Sequence, residues 1–269
     1  MSMAQLPTFL KAFLTVCLLM LNMPLAAQKH GQADTRSPSG QGLPPGKTLR
    51  LNVSTSGYPP YLIVKGDSYA GIIWDVVNRV AERTGFEVSA IQVPRKRVDN
   101  LLLEGYLDAT PRAREWTADP EQFLFTDAIV NVEEVFFFPK ESDFHYEGPE
   151  SLENKTLVTH LGYRYPPVQE LFDTGHTRRF DVPRDRDMFR YLLYSDELDA
   201  AIADRLVGQW IILSEDLQER FRMSDNNISE YGFRLMLRKD WGAFAALFNR
   251  ELEALKASGE LEEILSSYR

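Results

Sequence analysis

The sequence predicts an α/β protein of two lobes, each a mainly parallel sheet flanked by helices. Three observations predict it. Short apolar runs of strand length alternate with helical-period segments, the pattern of parallel βαβ units. The alternation breaks at one long extended run, "FTDAIVNVEEVFFFPK" (125–140), and then restarts. Two similar segments, "LDATPRAR" from Leu107 and "LDAAIAD" from Leu198, hold corresponding places in the two series. With 269 residues, 44% hydrophobic and 26% charged, the chain is globular in composition and long enough for two modest domains.

Residues 1–27 read as a secretory leader. Lys11 is the only charge, the apolar stretch "AFLTVCLLMLNM" follows, and "PLAA" supplies small residues before a cut after Ala27. A twelve-residue stretch is short for a membrane span; a retained anchor helix is the other reading. The only cysteine, Cys17, lies in this leader with Val16 before it, where a lipid anchor needs a small residue. The exported chain then has no thiol, which is compatible with an oxidising compartment, and a periplasmic location follows. Residues 28–47, "QKHGQADTRSPSGQGLPPGK", hold too few apolar side chains to offset the entropy of ordering them and are expected to form a flexible linker. The "GKT" at 46–48 is not a phosphate loop: that motif needs glycine at 41, where Gln41 stands, and must follow a strand.

From residue 48 the elements run in order. "LRLNVSTS" alternates as a strand. "GIIWDVVNRVAERTG" puts Ile72, Ile73, Val76, Val77 and Val80 on one helical face, with Gly85 as its stop. "FEVSAIQV" is a strand, "RKRVDNLLLEG" a helix and "YLDAT" a strand. After the long run come "KTLVTHLG" (strand), "YPPVQELFD" (helix), "TRRFDVP" (strand), "RDRDMFRYLLYS" (helix), "LDAAIAD" (strand) and "RLVGQWIILSEDL" (helix). "GFRLMLRKD" is extended again, and "WGAFAALFNRELEALKASG" and "ELEEILSSYR" are helices. In an open parallel sheet ligands bind beyond the carboxyl ends of the strands. Asp204 ends one such strand and Arg112 and Arg114 follow another, so an acid and a base are expected to face each other across a cleft.

The net charge of −9 repels a phosphate backbone or an anionic lipid surface, so no nucleic-acid partner is expected. The four histidines, at 30, 145, 160 and 176, lack metal-ligand spacing. Gly-x-Ser-x-Gly is absent and no carboxylate pair is singled out as acid and base. No metal, cofactor or catalytic residue is therefore expected.

The chain resembles the bacterial extracellular solute-binding proteins of family 3, the periplasmic receptors of polar amino-acid ABC transporters. The blocks that carry the resemblance are "GYPPYLI", "AGIIWDVVNRVAERTG", "LLLEGYLDA", "FLFTDAI", "SLENKTLVTHLG", "LDAAIAD", "YGFRLMLRKD" and "LEALKASGELEEI", in order from about Leu49 to Tyr268. The resemblance implies the type II periplasmic binding protein fold with two hinge crossings, near Asn131 and Tyr231. Lobe 1 is then 48–131 and 231–269, and lobe 2 is 132–230. It also implies a monomer that closes on a small amino acid or related carboxylate and is recognised, closed, by an inner-membrane permease.

By this resemblance Tyr58 is the aromatic that packs over the ligand and Asp204 the acid that pairs with its ammonium, although Asp204 also suits the cap of the helix that follows. The family's carboxylate-binding arginine falls at Asp119, so Arg112 or Arg114 is expected to reach the same spot; both also suit solvated loop charges. Gly162 marks the family's helix-start anion site, but Tyr163 and Arg164 follow it where a hydroxyl is usual, adding a cation. Together with Arg95 and Arg97, these residues predict a basic cleft and a ligand with an extra carboxylate. Trp74 and Trp116 read as packing residues. Two other functions fit the same scaffold. A lyase or dehydratase would turn over cyclic carboxylates, and a sensor would report its ligand to a membrane partner.

Overall fold

The computed structural model of the protein describes residues 47–269. The expected leader with Cys17, and all of the expected linker but Lys47, lie outside the described residues.

A single sheet runs through the molecule, and its order explains the restart seen in the sequence. The first series supplies β1 (Thr48–Asn52), the hairpin β2 (Ile63–Lys65) and β3 (Ser68–Ala70), α1 (Ile72–Thr84), β4 (Glu87–Ile91), α2 (Val98–Leu103), β5 (Ala109–Ala113) and the short β6 (Leu124–Phe125). The long strand β7 (Val130–Pro139) leads to the second series: β8 (Thr156–His160), α3 (Gln169–Asp173), β9 (Arg178–Val182), α4 (Asp185–Tyr194), β10 (Ala200–Asp204), α5 (Arg205–Ser214) and β11 (Phe221–Met223). The strand β12 (Ser229–Leu237) and helices α6 (Gly242–Ser258) and α7 (Glu260–Ser266) close the chain.

The strand order is β4-β1-β5-β12-β7-β10-β8-β9. The outer strands pair in parallel on both sides, β1 with β4 and β5, and β8 with β9 and β10. The two long strands between them are antiparallel to each other and to their other neighbours. β12 spans both halves, pairing with β7 over 229–233 and with β5 over 233–237. The positions expected as crossings come together there, with Tyr231 opposite Val132 and Gly232 opposite Asn131.

The helices follow from their sequences. All five apolar positions expected on the inner face of α1 are fully buried, and Gly85 ends the helix in the left-handed region at φ 74°, a conformation that costs glycine little. In α5, Gly208 lies against the Phe137 ring so closely that a Cβ there would come within 2.1 Å of it. The main core runs from Leu49 and Leu51 through Val135 and Phe137 to Phe244 and Phe248. A second cluster around Phe136, Phe138, Leu157 and Ile202 covers the other face of the second series.

Two features differ from the sequence reading. The strand expected at 106–110 lies three residues later, at 109–113, so that Arg112 is inside β5 and not in a loop. The β2–β3 hairpin and β11 were not expected; each of their strands is only three residues long, too short for alternation to register.

Candidate functional site

The carboxyl ends of five strands, β1 and β5 of the first series and β8, β9 and β10 of the second, converge on one small cavity. Tyr58 follows β1, Trp116 follows β5, His160 and Tyr163 end β8, Asp185 follows β9, and Asp204 ends β10; Val132 and Glu134 of β7 form its floor. This is where an open α/β sheet binds ligands. Alternation along β7 turns Val132 and Glu134 to this face and Asn131 and Glu133 to the other, where a wider groove of about 950 Å³ runs between α5, β11 and the C-terminal helices. Asp204 lines both spaces. The groove is larger, but none of the other strand ends opens into it.

The cavity itself measures about 20 Å³, room for about one water molecule. Contacts between the two series keep it closed. Arg95 donates to the Tyr163 hydroxyl at 2.9 Å and lies 5.1 Å from the centre of its ring.

Asp204 is buried and well supplied with donors. The Tyr61 hydroxyl donates to its Oδ1 and Oδ2 at 2.9 and 3.0 Å, the Val207 amide to Oδ1 at 3.0 Å, and the Glu133 amide to Oδ2 at 3.0 Å. It is thus the N-cap of α5. Burial still pushes its carboxyl up to about 6, against the pull of these donors. Glu134 stands directly across from Asp204 in the β7–β10 ladder and accepts one bond, from the Ser229 hydroxyl. Burial, with the Asp204 charge adding to it, pushes Glu134 up to about 7. Asp185 is held above the usual carboxylate range by burial, with His160, its own backbone amide and Arg95 opposing.

Aromatic rings form the walls. Tyr58 stacks on Tyr61 at 5.4 Å, and both meet Phe233 edge-on. Trp116 packs on Phe233 at 5.8 Å, and Tyr163 stacks on His160 at 4.1 Å.

Of the residues expected at the site, Tyr58, Tyr163 and Asp204 line the cavity together. Arg112 is buried within β5, bonds Asp99 at 2.7 Å and does not line the cavity. Arg114 is exposed, paired with Glu121 at 2.5 Å and placed over the Phe125 ring. Gly162 and Arg164 are exposed in the turn after β8 and do not line the cavity. Trp116, read from the sequence as a packing residue, lines it too, and so do Glu134, His160, Tyr165 and Asp185, which were not expected at the site. For Glu134 a signal existed, two adjacent acids, Glu133 and Glu134, in a central strand whose alternation turns one to each face; Asp185 is one of several charges in "RDRD" and gave none.

The chain is similar to the arginine-binding extracellular protein ArtP of Bacillus subtilis (strain 168), 24% identical over 235 residues that make up 84% of this chain and 88% of that one. Among solved structures it is similar to a mutant of ArgBP from T. maritima, 19% identical, covering 82% of this chain and 95% of that one, with a TM-score of 0.65. It is also similar to an ABC uptake transporter substrate binding protein from Streptococcus pneumoniae with bound histidine, 18% identical, covering 82% of this chain and 92% of that one, TM-score 0.67. These likenesses show the fold, the two-lobed type II periplasmic binding protein architecture. Residues 51–269 match the bacterial extracellular solute-binding proteins, family 3, and the protein belongs to that family.

Proposed function

We propose that the protein captures a small polar solute of the amino-acid class in the periplasm and hands it, as a closed monomer, to an inner-membrane ABC permease. The observation that carries this reading is the cavity at the strand ends: it is lined from both series of elements and at about 20 Å³ is too small for any amino acid. A solute enters only when the lobes part, and the lobes close on it again. The name of the Bacillus subtilis relative and the histidine in the Streptococcus pneumoniae structure support the amino-acid class.

In this reading lobe 1 comprises 48–131 and 231–269 and lobe 2 comprises 132–230, with the hinge where Asn131 and Tyr231 sit side by side in the β7–β12 pair. Tyr58 and Tyr163 cover the solute. Asp204 shapes the floor. Arg112 receives an acid group of the solute by exchanging its bond to Asp99; Arg114, Gly162 and Arg164 do not line the cavity and meet the solute only if the loops that carry them move on closure.

The test is a thermal-shift screen of the mature chain against the twenty amino acids and small carboxylates, followed by calorimetry on the hits and small-angle scattering with and without ligand. A hit raises the midpoint by RT ln(1 + [L]/Kd) and reduces the radius of gyration relative to the open form. A screen with no binder, or turnover of any probe, overturns the reading.

A further inference from the structure

We propose that the groove on the face of β7 opposite the cavity is a second binding site, for a free organic anion with an apolar body, and that it is filled while the cleft is closed. The site stands on the groove itself; its link to closure rests on the reading of lobes that part and close.

The groove measures about 950 Å³, within the range of about 300–1,000 Å³ usual for small-molecule sites, which are mostly apolar with a few placed polar groups. Its wall is built from both sides. Ile129, Val130 and Leu265 come from the start of β7 and from α7, and Leu206, Leu213 and Met223 from α5 and β11. Leu213 is 51% exposed and Val130, Leu206 and Met223 are half-buried, so apolar surface faces the space uncovered. Removing such surface from water drives binding.

The charges select an anion. The two acids of the groove are already answered: Glu133 pairs with Arg205 at 2.7 Å, and Asp204 accepts from Tyr61 and two backbone amides. Arg222 is turned to the Ser142 and Phe144 carbonyls and takes no part. Lys256 and Arg269 remain, each held among the described residues only by an exposed acid, Glu253 at 2.9 Å and Glu262 at 2.8 Å. Exposed pairs of this kind are weak and readily exchanged. Arg269 also reaches toward the buried end of the groove: burial and the Asp204 charge push the Tyr61 hydroxyl up, and Arg269 opposes them. On a chain of net charge −9 such a cationic border is a local feature.

The place of the groove links it to closure. Val132 and Glu134 of β7 face the cavity and Asn131 and Glu133 the groove, so the hinge strands lie between the two spaces. A rotation about those strands that parts the lobes at the cavity brings α5 toward the C-terminal helices and narrows the groove. An anion seated there holds the cleft shut, and by linkage it tightens solute binding by the factor by which solute tightens its own.

The experiment is calorimetric titration of the mature chain with octanoate, octyltrimethylammonium and 1-octanol, one tail with three head charges, all kept monomeric. It is repeated in K256E, in R269E and in R95C/Y163C bridged by a bis-maleimide, which holds the cavity shut so that whatever binds does so outside it. Octanoate binds at least about threefold more tightly than the other two, and K256E and R269E each weaken it by about threefold to tenfold, the range for an exposed ion pair replaced by a like charge. Unfolding midpoints of both variants stay at the native value, because both side chains are exposed. The bridged protein binds octanoate as tightly as the native one or more tightly. Equal binding of the three probes, no binding of octanoate, affinity untouched by both charge reversals, or binding lost on bridging overturns the inference. So does a dimer of the ligand-free chain that L213D dissociates, which gives the groove to a second copy. All of these leave solute capture standing, since the amino-acid screen tests it separately.

Discussion

The hydroxyl of Tyr61 donates to both carboxylate oxygens of Asp204, across 143 positions of chain, and so ties the turn after β1 to the end of β10. Neither residue is near the other in sequence. The bond accounts for the acid that ends the apolar run "LDAAIAD": a buried carboxylate is tolerated there because a phenol and two backbone amides satisfy it.

Tyr61→Phe removes the only side-chain donor to that carboxylate among the described residues. At pH 8 the variant is expected to be less stable by about 1–3 kcal/mol, the cost of leaving a buried acceptor short of a partner. The difference narrows as pH falls through about 6, where Asp204 takes up its proton and needs the donor less. Urea unfolding of both proteins at pH 5 and pH 8 checks this; an equal loss at both pH values refutes it.

The scaffold was legible in the sequence and the site only partly so. Alternating periods gave nearly every long element, because burial of one face fixes the period whatever else surrounds it. β5 was misplaced because Pro111 looks like a terminator, whereas it sits within the strand opposite Leu235 of β12. Asp204 could be picked out because a strand end and a helix start are local signals, and Tyr58 and Tyr163 because the family resemblance marked their positions. Asp185 could not, and the acids in β7 gave only a partial signal for Glu134, since what surrounds these side chains depends on strands far apart in the chain. The arginines illustrate the converse: Arg112 and Arg114, two positions apart, are buried against Asp99 and exposed against Glu121 respectively.

Glu134 makes stability fall with rising pH. Burial lifts its folded-state value from 4.5 to about 7, so the native state binds more protons than the unfolded chain between those values. The stabilisation is complete below 4.5 and is lost as pH rises through about 7. The groups that face it are Asp204, Tyr163, Tyr165, Tyr231 and the Ser229 hydroxyl. Glu134→Gln abolishes this share of the slope, on the order of 3 kcal/mol across the window. Denaturant midpoints from pH 4.5 to 8 give the measurement, and an unchanged slope in the variant contradicts the assignment.

Gly208 is required by contact and not by backbone conformation. A Cβ at this position of α5 would meet three Phe137 ring atoms between 2.1 and 2.8 Å, and Phe137 is fully buried with Phe189 packed edge-on at 5.0 Å. The ring has no free space to retreat into. Gly208→Ala is expected to destabilise by about 1–3 kcal/mol or more despite alanine's better helix propensity. The double variant Gly208→Ala with Phe137→Leu recovers part of the loss, and additive losses in that pair contradict the contact.

The Arg95–Tyr163 contact is the bond most exposed to test by loss of closure. It bridges the start of α2 and the turn after β8 over the mouth of the cavity, with Arg95 exposed to solvent and Tyr163 half-buried. An exposed bond of this kind contributes about 1 kcal/mol or less, too little to change folding but enough to alter a balance between open and closed forms by about fivefold. Arg95→Ala is therefore expected to leave the unfolding midpoint within about 1 °C while increasing the ligand-free radius of gyration in small-angle scattering. On the proposed reading that the ligand binds the closed form, its affinity falls by at most the same factor, and Tyr163→Phe, which keeps the ring and loses the hydroxyl, gives a smaller effect in the same direction. A ligand-free radius of gyration that is identical in all three proteins places the closing force elsewhere, in the Tyr61–Asp204 bond beneath the cavity.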